Sequence, residues 1–183
     1  MRFDPTDYDA VVYDLDGTLV DLAVDWDAVA EDVLAVYTDN AIKPPGNGLW
    51  DLLGVAEEYG IGEAVEEAIR LHERPGARDS TRLPLADALG AGDATRAAVC
   101  SLNCEEACRI ALDTHGLDDD VSAVVGRDTV SKMKPEPEPL LAAIDALDAD
   151  PERAVFVGDS RSDATAAERA GVQFVWTDDA VGE

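Results

Sequence analysis

Five short apolar runs rich in β-branched residues recur along the chain, and apolar residues at helical spacing lie between them. Runs that are apolar at successive positions are typical of strands buried on both faces, and intervening helices indicate parallel pairing. We therefore predict an α/β fold: a doubly wound, Rossmann-like parallel sheet with strand order 3-2-1-4-5. The predicted strands are residues 10–13, 97–100, 123–125, 154–157 and 173–176.

The interval between the first two predicted strands does not follow this alternation of strands and helices. It spans residues 14–96, whereas a simple crossover needs about a dozen residues. Apolar residues recur there at helical spacing in three segments, and glycine- and proline-containing breaks separate them, the last around Pro75. We predict a domain of three or more helices at residues 21–83, inserted after the first strand, and a sheet domain formed by residues 1–20 and 84–183.

The chain is strongly acidic: 40 acidic against 14 basic residues give a formal net charge of −26. A field of that sign disfavours nucleic acid and anionic membranes as partners. The aspartate-rich, lysine-poor composition is similar to that of cytoplasmic proteins from salt-accumulating archaea, where molar salt screens the self-repulsion. No apolar run approaches the roughly 20 residues of a membrane span, and residues 1–9 do not resemble a secretory signal. We therefore expect a halophilic, cytoplasmic protein.

Two of the predicted strands end in closely spaced carboxylates. The first runs into Asp14 and Asp16, and the fourth runs into Asp159 with Asp163 four residues later. In the order 3-2-1-4-5 these strands are neighbours at the topological switch point, where ligands bind. We therefore expect the four carboxyl groups to converge. Several carboxylates in one cleft need a cation to stay ionised, and hard oxygen ligands favour Mg²⁺.

The scarcity of lysine makes its few positions informative. Two of the three lysines, Lys132 and Lys134, follow the third predicted strand. We expect Lys132 to lie in solvent and Lys134 to place a fixed positive charge in the acidic site. Ser101 follows the second strand and can add a hydroxyl group at the same edge of the sheet. Asn103, with Glu106 three residues later, predicts the start of the next helix.

Taken together, these motifs resemble those of the haloacid dehalogenase superfamily, in the expected order and on the expected elements. The match extends over the predicted sheet domain, and the helical insertion lies where that family carries a C1-type cap. The sequences around Lys134 and Asp159 resemble phosphoglycolate phosphatases. The matching segments are Asp14-x-Asp16-Gly17-Thr18, Ser101, Lys134-Pro135 and Gly158-Asp159-x-x-x-Asp163.

The resemblance implies a Mg²⁺-dependent phosphatase that acts on a small phosphorylated metabolite. Asp14 would attack phosphorus and form an aspartyl-phosphate, while Asp16 would act as general acid and then as general base. Ser101 and Lys134 would hold the phosphoryl oxygens. The implied metal ligands are Asp14, the backbone carbonyl of Asp16, and Asp159, with Asp163 supporting water ligands.

Other functions stay open at this point. A phosphomutase of the same superfamily, or an inactive phosphate-binding regulatory homologue, would carry similar motifs. Asp16 disfavours a dehalogenase, since a halide leaving group needs no acid. A response-regulator receiver is disfavoured because its phosphate acceptor and lysine follow other strands, and a dinucleotide-binding domain because Gly90-Ala91-Gly92 precedes a predicted strand. We expect a monomer or a homodimer.

Three further groups of residues admit a functional and a structural interpretation. The cysteines are too few and too clustered for a disulfide framework, and buried thiols are favoured over a zinc site that would need a fourth ligand. Aromatic residues in the insertion could line a substrate-binding face or belong to its core. Arginines near its end could bind a substrate carboxylate. The cysteines are Cys100, Cys104 and Cys108, the aromatic residues are Trp26, Trp50 and Tyr59, and the arginines are Arg74, Arg78 and Arg82.

Overall fold

A five-stranded parallel sheet forms the centre of the protein. The computed structural model describes residues 3–89 and 96–181. The strands in these ranges are β1 (Ala10–Tyr13), β2 (Val20–Asp21), β3 (Thr81–Arg82), β4 (Arg96–Cys100), β5 (Ala123–Val125), β6 (Ala154–Gly158) and β7 (Gln173–Trp176). The sheet order is β5-β4-β1-β6-β7, with every pair parallel. The predicted α/β fold and its 3-2-1-4-5 order are therefore confirmed.

Helices cover both faces of this sheet. The central strand β1 is buried at every position: Val11 and Tyr13 pack into the core on one face, and Ala10 and Val12 into the core on the other. This two-sided burial explains why the strand sequences are apolar without alternation. The helices are α1 (Trp26–Asp39), α2 (Leu49–Ala56), α3 (Gly62–Arg78), α4 (Glu105–Thr114), α5 (Glu138–Ala146), α6 (Arg161–Ala170) and α7 (Thr177–Val181).

In the sequence, the helices α1, α2 and α3 follow β1 and precede β4. They pack around a hydrophobic cluster of their own. Val33 and Ile69 are fully buried in this cluster, and the buried Tyr37 hydroxyl donates to the Leu52 carbonyl at 2.6 Å. The strands β2 and β3 pair antiparallel where the chain enters and leaves this helical segment. The two connections between the sheet and the helices are therefore held side by side.

The end of α3 differs from the sequence prediction. The break expected around Pro75 does not occur, and α3 continues to Arg78. Proline cannot donate to the carbonyl four residues earlier, which belongs to Leu71. Both residues lie on the exposed side of the helix, where water can replace the missing donor.

The described ranges bear on two other expectations. The segment Gly90-Ala91-Gly92, used above against a dinucleotide-binding domain, lies outside them. Within residues 3–89 and 96–181, none of the helices combines the length and the apolar character needed to cross a lipid bilayer.

Candidate active site

Three carboxylates converge at the carboxyl edge of the central strands. Asp14 follows β1, Asp159 follows β6, and Asp163 lies in the first turn of α6. One oxygen from each lies within 4.8 Å of the other two. Because β1 and β6 are paired in parallel, their ends deliver Asp14 and Asp159 to the same place. The structure therefore brings three of the four predicted carboxylates together.

Asp16 lies outside this group of three, so of the four carboxyl groups predicted to converge it is the one that lacks the 4.8 Å spacing. Its Oδ1 accepts a hydrogen bond from the Leu22 backbone N–H at 2.8 Å. The chain turns sharply at Gly17, where φ is +79°, and a Cβ there would lie 2.2 Å from an Asp159 oxygen. Only glycine fits this turn. Asp16 nevertheless lines the same cavity as Asp14.

Lys134 supplies the positive charge of the cluster, as predicted from its position. Its Nζ donates to Asp14 Oδ1 at 2.9 Å, to Asp163 Oδ1 at 2.5 Å and to the Cys100 carbonyl at 3.0 Å. The side chain is 2% exposed. The second oxygen of Asp163 accepts from the Ser160 backbone N–H at 3.0 Å and from its hydroxyl at 2.6 Å. Asp163 is thus anchored through both oxygens.

Ser101 and Asn103 form a hydrogen-bonded turn after β4. The Ser101 hydroxyl donates to Asn103 Oδ1 at 2.9 Å, and the Asn103 backbone N–H donates to that hydroxyl at 3.2 Å. Asn103 Nδ2 donates to Glu73 Oε1 at 3.3 Å. Because its side chain is engaged in this way, Asn103 does not cap α4. The helix start predicted there is wrong, and the N-cap residue is Cys104.

Burial raises the pKa values of Asp14, Asp16 and Asp159. Desolvation raises the pKa of Asp14 to about 7, although the charge of Lys134 acts in the opposite direction. Desolvation also raises the pKa of Asp16 to about 6 and raises that of Asp159. For Lys134, desolvation favours the neutral form, but the charges of Asp14 and Asp163 outweigh it and raise its pKa. A cation bound here would favour the ionised carboxylates.

This shift predicts that Asp16 destabilises the metal-free protein at high pH. Its pKa of about 6 in the folded protein exceeds its pKa in the unfolded chain, so the folded state binds this proton more tightly. Proton binding therefore stabilises the fold at low pH, and this stabilisation is lost as the pH rises through about 6. We expect the neutral isostere Asp16→Asn to raise the Tm in EDTA more at pH 8 than at pH 4.5, measured by circular dichroism. Asp39→Asn, at an exposed position, controls for the loss of one negative charge. A Tm gain no larger at the higher pH, after this correction, would contradict the prediction.

A cavity of about 340 Å³ opens above the carboxylates. Trp26 and Trp50 line it, as one interpretation of the sequence expected, but Tyr59 does not: it is 45% exposed and lies edge-on to Tyr37. The polar lining residues are Asp14, Asp16, Ser101, Asn103, Lys134, Asp159 and Ser160, and the apolar ones are Trp26, Leu49, Trp50 and Leu102.

A buried ion-pair network beside the site was not predicted. Glu73 on α3 is fully buried, and Arg127, two residues after β5, is 5% exposed. Arg127 donates to Glu73 Oε1 at 2.7 Å, to Glu66 Oε2 at 2.8 Å and to the Leu102 carbonyl at 2.6 Å. Desolvation acts to lower the pKa of Arg127, but the two glutamates outweigh it and raise the pKa. The only sequence signal was the spacing of Glu66 and Glu73, two helical turns apart on one face.

The remaining candidates lie away from the cavity. Lys132 is exposed, as predicted, and the three cysteines are buried and free. Among the described residues, the three convergent aspartates are the only His/Cys/Asp/Glu group with metal-ligand spacing. Arg74 and Arg82 are paired with neighbouring carboxylates, Arg78 is exposed, and none of these arginines lines the cavity.

The fold and the site define a doubly wound α/β enzyme with carboxylates and a lysine at the carboxyl edge of its sheet. The family model described as haloacid dehalogenase-like hydrolase matches residues 91–177. A phosphoglycolate phosphatase from Rhodospirillum rubrum is 37% identical over 187 residues, covering 91% of this chain and 78% of that protein. One from Aquifex aeolicus is 32% identical over 173 residues, covering 89% and 81%. The chain therefore belongs to the haloacid dehalogenase superfamily of hydrolases, and it is a phosphatase similar to phosphoglycolate phosphatases.

A solved structure supports the same assignment at the level of the fold. A haloacid dehalogenase superfamily hydrolase of subfamily IA, variant 1, from Geobacter sulfurreducens superposes with a TM-score of 0.62 at 27% identity. The superposition covers 92% of this chain and 89% of that one. The similarity therefore extends over the inserted helices as well as the sheet.

Proposed function

We propose that the protein is a Mg²⁺-dependent phosphatase that hydrolyses a small phosphomonoester through an aspartyl-phosphate on Asp14. The observation that carries this proposal is the convergence of Asp14, Asp159 and Asp163 within 4.8 Å, with Lys134 donating to two of them. A nucleophilic carboxylate needs positive charge beside it to accept a phosphate dianion in a chain of net charge −26.

The donor set fits a magnesium ion. The convergent atoms are carboxylate oxygens, the hard ligands that Mg²⁺ prefers, and no softer ligand lies among them. We assign direct ligation to Asp14, Asp159 and the backbone carbonyl of Asp16. Asp163, whose oxygens accept from Lys134 and Ser160, supports water ligands instead. When bound, the ion neutralises charge on the phosphoryl oxygens and holds the Asp14 carboxylate ionised.

In the first step, an ionised Asp14 oxygen forms a bond to phosphorus while the bond from phosphorus to the ester oxygen breaks. Asp16 gives its proton to the departing oxygen, so the alcohol leaves neutral. Burial raises the pKa of Asp16 to about 6, close enough to neutrality for this carboxyl to hold and release a proton there. Lys134 and the Ser101 hydroxyl bind non-bridging oxygens of the transferred group, the hydroxyl turning from Asn103 to do so.

In the second step, water attacks the phosphorus of the aspartyl-phosphate. Asp16, now ionised, takes a proton from that water, and the bond between phosphorus and the Asp14 oxygen breaks. Inorganic phosphate leaves, and both aspartates return to their starting protonation states. The hydrogen bond from the Leu22 N–H holds the Asp16 carboxyl in one orientation for both transfers.

We further propose that residues 21–83 act as a cap over this site. Trp26 at the start of α1, and Leu49 and Trp50 at the start of α2, form the part of the cavity wall opposite the sheet. The paired strands β2 and β3 give this segment a defined attachment to the sheet. Closure of such a cap excludes water from the phosphoryl group while the leaving group is still bound.

The proposal is tested by phosphate release from p-nitrophenyl phosphate in molar KCl, with Mg²⁺ or with EDTA. We expect turnover with Mg²⁺, loss of turnover in EDTA and recovery when Mg²⁺ is restored. Circular dichroism in EDTA must show a folded protein for the loss to count. Undiminished turnover in EDTA would refute the metal dependence, and phosphoryl transfer to an added sugar phosphate in place of water would favour a phosphomutase.

A further inference from the structure

The cavity above Asp14 has two chemically distinct parts. Its floor is polar and consists of the carboxylates, Lys134 and the turn at Ser101. Its wall is apolar and is built from Trp26, Leu49 and Trp50 of the inserted helices, and Leu102 in the turn after β4 adds a further apolar side chain. If the phosphoryl group occupies the floor, as the proposed function requires, the leaving group lies against this wall.

The described lining of the cavity offers no free cationic side chain to a negatively charged leaving group. Among the described residues that line it, Lys134 is the only cationic one, and it is already engaged with Asp14, Asp163 and the Cys100 carbonyl. Arg127 has its guanidinium 5.7 Å from the Trp50 ring centroid, but it does not line the cavity.

Arg127 has no capacity left for a substrate. Its guanidinium is bound by Glu66, Glu73 and the Leu102 carbonyl. Arg70 and Arg74 of α3 are likewise paired with neighbouring carboxylates. A carboxylate on the leaving group would therefore lie against apolar side chains with no available cationic side chain among the described lining residues, inside a protein of net charge −26.

The wall is suited to a flat apolar group instead. The rings of Trp26 and Trp50 have centroids 5.9 Å apart and an interplanar angle of 56°, so the two indoles present differently oriented faces to one cavity. Indole rings contribute large apolar contact areas and favour offset or edge-to-face contact with another ring. A volume of about 340 Å³ lies within the range of small-molecule sites.

We infer that the enzyme selects phosphomonoesters whose leaving group is uncharged and presents an aromatic or other flat apolar face, and that it discriminates against a carboxylate on the leaving group. This inference rests on the proposed function, because it assumes that phosphorus is bound at Asp14. It concerns the substrate class of this chain, whose relatives are named for a substrate with a carboxylate close to the phosphate.

The test compares kcat/KM for two matched pairs of substrates at saturating Mg²⁺ in molar KCl. Benzyl phosphate is paired with 4-carboxybenzyl phosphate, and phosphoglycolamide with phosphoglycolate, so that each pair differs mainly in one negative charge. We expect the uncharged member to be favoured by about tenfold or more in both pairs. Equal values, or preference for the charged member in either pair, would overturn the inference.

The Trp50→Ala variant tests whether the apolar wall of the cavity selects the leaving group. Trp50→Ala is expected to lower kcat/KM for benzyl phosphate about tenfold more than for methyl phosphate, which is too small to reach the indole. Trp176→Ala serves as the matched control, because Trp176 is 41% exposed on β7 and does not line the cavity. If Trp50→Ala lowered kcat/KM equally for both esters, the apolar wall would not be what selects the leaving group. If no ester is hydrolysed at all, it is the proposed function that fails.

Discussion

Replacing Asp14 by asparagine should abolish turnover, lowering kcat by on the order of 10⁴-fold or more while the fold is preserved. The amide has the shape of the carboxylate but cannot attack phosphorus to form an acyl phosphate. Its oxygen can still accept the hydrogen bond that Lys134 now gives to Asp14 Oδ1 at 2.9 Å. Burial also raises the pKa of Asp14, so a neutral side chain there suits the metal-free fold. Activity is measured with p-nitrophenyl phosphate and Mg²⁺, and folding by circular dichroism.

Asp9→Asn provides a matched control for this variant. Asp9 immediately precedes β1, whereas Asp14 immediately follows it, so the two residues lie at opposite ends of the same strand. Asp9 is partly exposed and paired with Arg153 at the end away from the site. We expect Asp9→Asn to keep the parent's kcat. Asp14→Asn protein that retained more than about a hundredth of the parent's kcat would exclude Asp14 as the nucleophile, since losing a nucleophile costs several orders of magnitude.

The central sheet was predictable because its strands are short, mainly apolar and separated by helices. Ala10–Tyr13 was located to the residue because a parallel strand buried on both faces is apolar throughout. Gln173–Trp176 was also located to the residue, although this edge strand is only partly buried. The helix break at Pro75 was predicted wrongly, because the sequence does not reveal on which side of the helix the missing hydrogen bond lies. Here it falls on the exposed side, where the helix tolerates it.

The site was predictable to the extent that strand ends determine it. Asp14 and Asp159 converge because their strands are paired, and Lys134 reaches them from the loop after β5. The orientation of Asp16 was not predictable, because the Leu22 N–H that holds it depends on the path of the chain after Gly17. The end of a strand determines where the Cα of a following residue lies, whereas local hydrogen bonds determine the rotamer of its side chain.

The network of Glu73 and Arg127 was hidden from sequence reasoning because it forms between residues 54 positions apart in the chain. Each residue appears in sequence as an ordinary surface charge. Only the packing of α3 against the loops after β4 and β5 buries them. Glu73 accepts from Asn103 Nδ2 and from the Cys104 backbone N–H, both at 3.3 Å, so one carboxylate holds the turn that carries Ser101.

We expect single substitutions in this network to be strongly destabilising. Arg127→Met leaves Glu73 buried without its cation, and Glu73→Gln removes the carboxylate that Arg127 and the Cys104 N–H both bind. Removing one partner of a buried pair costs about 3–5 kcal/mol, because the remaining charge stays desolvated. The measurement is the free energy of unfolding from urea titrations in molar KCl. Losses below about 1 kcal/mol in both variants would show that the pair is not buried in solution.

The double variant distinguishes a coupled network from two unrelated sites. Because Glu73→Gln and Arg127→Met both break the same ion pair, the double variant should be less destabilised than the sum of the two single losses, although Arg127 keeps its contact with Glu66 in Glu73→Gln. Glu136→Gln is the control: its ion pair with Arg169 has the same 2.7 Å separation but both side chains are about half exposed, so its loss should stay within about 1 kcal/mol. Glu73→Gln should also lower kcat/KM, since the turn at Ser101 loses the carboxylate that holds it. Strict additivity of the two single losses would mean that Glu73 and Arg127 stabilise the protein independently, and the coupled network would have to be abandoned.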